Sequence, residues 1–116
     1  MIQIYFKEDD GRLTVDIKGH GDLENIQGLD VMCAATTTLA DTLGLNIQSA
    51  EQCGMLEGEP TVYVGDDGEG IARLEALPKP EYYNIVKTMF VTVTTGFLFL
   101  SQMYPDYVQY GAEVFG

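Results

Sequence analysis

Ile2, Ile4 and Phe6 alternate with polar neighbours, and after Asp9-Asp10-Gly11 the alternation resumes at Leu13, Val15 and Ile17. That is the period of strands with one buried face. A two-residue turn at Asp10-Gly11 sets Phe6 across from Val15 and Ile4 across from Ile17, so one face of a hairpin becomes apolar. Thr61 to Gly65 and Ile71 to Glu75 flank the acidic, Gly-containing stretch 66–70 in the same way. A three-residue loop at Asp67 to Glu69 sets Val64 against Ala72 and Val62 against Leu74 in a second hairpin.

Two longer stretches change to helical spacing. From Val31 to about Ala50, Met32, Ala35, Leu39, Leu43 and Ile47 form a stripe to be buried. Cys33, Thr37, Ala40 and Gly44 fall on a neighbouring face of small residues that permits close approach by another element. After Pro78-Lys79-Pro80, Tyr82, Val86, Met89, Val93, Phe97 and Leu100 repeat every three or four residues. The β-branched run Val91 to Thr95, followed by Gly96, leaves a break or a strand open in the middle of this helix. Pro105 ends it, and Tyr107 to Phe115 suits a short last strand packed through Val108, Tyr110 and Val114, with Gly111 weakening the pattern. The pattern predicts an α+β fold: a mostly antiparallel sheet from two β-hairpins with two packed helices, in the order ββαββα plus a terminal strand.

Composition narrows the function. A chain of 116 residues suits a single domain over 1–116. Eighteen acidic against six basic residues give a formal net charge of −12, which argues against nucleic acid as a partner and favours a basic polypeptide. Met1 leads directly into the first strand without a basic, apolar leader, so a cytoplasmic location is expected. In that compartment a disulfide between Cys33 and Cys53 is the weaker reading, and Cys53 receives no role. No membrane association is expected, because the uninterrupted apolar run near the second helix falls short of the ~20 residues of a span. Two cysteines and one histidine make no close-spaced metal pair, the acidic loop 66–70 is shorter than an EF-hand loop, and no Gly-rich phosphate loop occurs. Neither a metal nor a cofactor is called for.

One stretch brings reactive groups together. Gly19-His20-Gly21 is followed, after eight residues, by Asp30-Val31-Met32-Cys33-Ala34-Ala35. His20, the sole histidine, ends the second strand with parity opposite to Val15 and Ile17, and so points away from the core. Asp30 is a capping residue type where the helical pattern begins, which would put the Cys33 sulfur in a first helical turn. There the exposed N–H groups would favour a thiolate and receive negative charge from a carbonyl under attack. An imidazole within reach would take the thiol proton and return it to the leaving amine. Asp30 either caps the helix or orients His20; its charge beside Cys33 otherwise opposes the thiolate. Gly19 to Leu29 is expected to be a loop able to order on peptide binding, with Leu23 and Ile26 contacting a substrate's apolar side chain. A packed core cysteine and a surface histidine remain the plain alternative.

Gly-His-Gly, a loop, then Gly-x-Asp-x-x-Cys-Ala-Ala opening a helix resembles the ribosomal-processing cysteine protease family, Prp, over the length of the chain. The resemblance implies Cys33 as nucleophile, His20 as base and Asp30 as third member, with Gly21 and Ala34 beside them at the substrate. Gly21 stands where the family carries alanine, a small-for-small departure. The implied activity is a cytoplasmic, homodimeric endopeptidase that removes the N-terminal extension of the bacterial large-subunit ribosomal protein numbered twenty-seven. Two alternatives stay open: a phage capsid or scaffold maturation protease of the same chemistry, and a non-enzymatic acidic adaptor or dimerisation module that binds a basic protein.

Overall fold

In the structure, a computed structural model, residues 1–19, 26–65 and 72–113 are described, with the side chains of 26–30 excepted. Strands β1 (Ile2–Asp9) and β2 (Arg12–Lys18) form the first hairpin. Phe6 pairs with Val15 and Ile4 with Ile17, in the register set by the apolar alternation. Asp10 and Gly11 both take positive φ, the requirement of a tight two-residue hairpin turn. Helix α1 (Ile26–Gln52) follows, then the hairpin of β3 (Thr61–Val64) and β4 (Ala72–Ala76), with Val64 opposite Ala72 and Val62 opposite Leu74. A 3-10 turn at Pro80–Tyr82 leads into α2 (Tyr83–Met103), and β5 (Val108–Glu113) closes the order.

The five strands lie in the order β3-β4-β2-β1-β5, antiparallel except where β5 runs parallel to β1. Inward residues of β1, β2 and β4 meet both helices in one core that contains Phe6, Leu13, Val15, Leu74, Leu43, Ile47, Phe90 and Phe97. The rings of Phe6 and Phe90 stack at 5.9 Å. Of the predicted α1 stripe, Met32, Leu43 and Ile47 are buried and Ala35 and Leu39 pack half-buried against the core. Gly44 serves the close approach expected of its face: a Cβ there would lie 2.9 Å from Val62 Cγ1.

Two expectations are corrected, and one open alternative closes. Helix α1 begins at Ile26, five residues before the predicted start at Val31, which shortens the connection after β2. Helix α2 runs unbroken through Val91 to Thr95, because burial of Val93, Thr94 and Phe97 overrides weak intrinsic propensity. The segment Pro80–Met103 is also long and apolar enough to cross a membrane, so run length is not what separates it from a span. Its inner face packs on the sheet, and its Lys87 reaches Glu8 of β1 at 3.1 Å. The terminal strand forms at Val108 with Tyr110 half-buried, while Val114 lies outside the described residues.

Candidate active site

Helix α1 packs over β3 and β4, and between it and the end of the sheet where β1 begins and β2 finishes lies a groove of about 550 Å³. Ile2, Ile17 and Gly19 line it from the sheet, and Cys33, Thr37 and Asp41 line it from the helix at positions four apart. Cys33 is half-buried, packed on one side against the core and open on the other to the groove. Gly19, the residue covalently joined to His20, takes φ +107, and a Cβ there would collide with the carbonyl of Met1. Glycine therefore lets β2 turn out of the sheet at the groove.

The predicted site residues separate into three groups. Cys33 and Ala34 line the groove. Ile26 and Asp30 have helical backbone, as the first and fifth residues of α1, but their side chains lie outside those described. His20, Gly21 and Leu23 lie outside the described residues altogether.

The helix boundary corrects two chemical expectations. Asp30 is not the cap of α1, since four helical residues precede it. Cys33 is the eighth residue, beyond the first turn whose N–H groups lack intrahelical partners. The helix start therefore neither stabilises a thiolate at Cys33 nor offers an oxyanion site beside it, because that influence fades within a turn. Cys33 and Cys53, twenty residues apart along α1 and the turn that follows it, are separated by ~30 Å of helical rise, far beyond bridging distance; Cys53 is exposed in the turn after the helix.

Two polar features of the groove were not singled out by the sequence. Asp41 is the only charged side chain among the described residues that line it. Thr36 is buried, 4% exposed, and its hydroxyl has no hydrogen-bond partner among the described residues. Thr38 and Thr42, in contrast, donate to the carbonyls of Ala34 and Thr38. Spacing of three, four and eight residues from Cys33 is the signal that places Thr36, Thr37 and Asp41 near it.

The groove has a cysteine in its helical wall, and one of its lining residues, Gly19, is the one joined in sequence to the sole histidine. The chain belongs to the cysteine protease Prp family, whose family model matches residues 1–109, and it is a cysteine protease. Among solved structures it is similar to SMU.848 from Streptococcus mutans, with 25% identity and TM-score 0.66 over 97% of this chain and 96% of that one. It is also similar to the essential ribosomal processing protease Prp from S. aureus. The form with a substrate peptide gives 14% identity and TM-score 0.67, and the form with a covalently linked product peptide gives 15% and 0.66. Each of these two comparisons covers 97% of this chain and 100% of the other. At those identities the S. aureus likeness concerns the fold. The sequence finds no match among curated proteins.

Proposed function

We propose that this protease removes the N-terminal extension of the bacterial large-subunit ribosomal protein numbered twenty-seven, with Cys33 as nucleophile and His20 as base. The observation that carries the reading is that Cys33 and Gly19, the residue joined to His20, line one groove. The family and the ribosomal processing described for the S. aureus neighbour support the substrate.

In the proposed reaction His20 takes the thiol proton, and Cys33 Sγ forms a bond to the scissile carbonyl carbon. The C–N bond then breaks, and the imidazolium gives its proton to the departing amine. Water, deprotonated by His20, hydrolyses the resulting thioester and releases the second fragment and the thiol. Asp30 is proposed to orient His20; the capping role assigned to it earlier falls away with the helix boundary. Gly21, Leu23, Ile26 and Ala34 are proposed to contact the peptide.

The setting proposed is cytoplasmic, the substrate segment basic and the assembly a homodimer. A chain of net charge −12 attracts a cationic polypeptide and quickens its encounter at low salt. The dimer is supported by the outer face of α2, which exposes Ile85, Leu98 and Phe99.

Incubation with the ribosomal precursor, followed by mass spectrometry, tests the reading. Wild type is expected to release one N-terminal fragment, Cys33→Ala none while keeping its far-UV spectrum, and His20→Ala to slow cleavage by ~10²–10⁴-fold. Turnover by Cys33→Ala would refute the nucleophile. Cleavage of phage capsid precursors in preference to the ribosomal one would refute the substrate alone.

A further inference from the structure

Beyond the reacting pair, the groove continues along α1 to Asp41. Cys33 and Asp41 are eight residues apart on one helix, which sets them ~12 Å apart along its axis. The side chains between them that face the groove are neutral, and among the described residues the facing wall is formed by Ile2, Ile17, Gly19, Val64, Gly65 and Ala72. Asp41 has no ion-pair partner among the described residues, whose pairs engage Glu8, Asp16 and Glu75. A peptide laid in this groove covers a carboxylate that has no cationic partner among the described residues.

We infer that Asp41 selects substrates that carry a lysine or arginine about three to five residues from the scissile bond, where an extended peptide advances ~3.3 Å per residue and a long cation adds its own reach. The inference rests on the protease reading above and gives it a substrate class. Discrimination comes from two sides. A cation in place forms an ion pair whose surroundings become drier as the peptide seats. A neutral or acidic side chain in the same place leaves Asp41 covered and unpaired, a penalty that is larger than the gain from the pair itself. Long-range attraction by the net charge of −12 acts on a cation at any position, whereas pairing with Asp41 acts at one.

The test uses the full chain and two sets of quenched fluorescent peptides. One set spans the cleavage site of the ribosomal precursor with each basic residue replaced by glutamine or glutamate; the other is a randomised decapeptide library whose products are sequenced. At one position, on one side of the cut, lysine is expected to exceed glutamine in kcat/KM by about fivefold, as for a half-exposed ion pair. Asp41→Asn should collapse that ratio to near one, and Asp41→Lys should invert it in favour of glutamate, with other positions keeping their ratios. Circular dichroism checks that both variants fold. Cleavage of the library without a cationic preference that depends on residue 41 overturns the inference and leaves the protease reading standing. Failure to cleave the ribosomal peptides while library peptides show the preference overturns only the ribosomal substrate, and no cleavage of any peptide overturns both.

Discussion

Among single residues, Thr36 sets a buried hydroxyl beside the groove. Thr36 Oγ1 is buried with no partner among the described residues, while the hydroxyls of Thr38, Thr88 and Thr95 each reach a carbonyl one turn back. A buried hydroxyl without a partner costs about 1–3 kcal/mol. Thr36→Val keeps the shape and removes that cost, so it is expected to raise unfolding stability by about 1 kcal/mol in urea titrations. A loss of stability would show that the hydroxyl is hydrogen-bonded in solution. A gain in stability accompanied by slower cleavage would assign the hydroxyl to the active site. In the sequence Thr36 is one of three consecutive threonines, and which of the three turns inward depends on the phase of α1 against the sheet.

At the scale of elements, α2 is pinned to β1 through a small ionic cluster. Tyr83 donates to Glu8 Oε2, Lys87 lies 3.1 Å from Glu8 Oε1, and the Lys87 ammonium stands 5.4 Å from the Tyr83 ring centre. Burial, and then the hydrogen bond to Glu8, hold the Tyr83 phenol above its ordinary 10.0. Hydrogen bonding to Tyr83, and then to Glu8, raises Lys87 above 10.5. Both groups keep their protons more tightly in the folded state than in the unfolded one. The stability they contribute is therefore complete below pH 10 and is lost as pH rises from there through the folded values. Melting temperature followed from pH 9 to 12 is expected to fall above pH 10, more shallowly in Tyr83→Phe. Identical slopes in the two proteins would show that the cluster contributes nothing to the pH response. None of this was visible in the sequence: Glu8 occupies a core-facing strand position, 75 residues from Tyr83, and only the folded chain brings them together.

At the scale of the whole molecule, charge and apolar surface are segregated. Lys7, Arg12, Lys18 and Arg73, four of the six basic residues, stand on the sheet face away from the helices, where Arg73 pairs with Asp16 and Glu75. The outer face of α2 exposes Ile85, Val91, Leu98, Phe99 and Met103, and no exposed residue of that helix is charged. In a chain of net charge −12 such a strip is the surface on which two like copies approach without repulsion, and contiguous exposed apolar area marks interaction sites. Sedimentation of wild type is expected to give about twice the 12.8 kDa chain mass, and Phe99→Glu to shift it towards the monomer. A monomeric wild type at tens of micromolar, or a dimer indifferent to Phe99→Glu, would remove this face from the proposal.

Local pattern was enough for the hairpins, their register and most of the inward stripe of each helix, although Thr36, Phe90 and Thr94 are buried outside the predicted stripes. Alternation with period two and recurrence near 3.6 are local consequences of backbone geometry, and a slip by one residue would turn Ile4, Phe6, Val15 and Ile17 to solvent. It also picked out Cys33 and the glycine turn that leads to His20. Tertiary structure alone decided that α1 starts at Ile26, that α2 passes unbroken through its β-branched middle, and that β5 pairs parallel to β1. It also decided that the face of α1 carrying Cys33, Thr36 and Asp41 is the one turned to the groove. Those outcomes depend on burial and on contacts between residues distant in the chain, which no local pattern encodes.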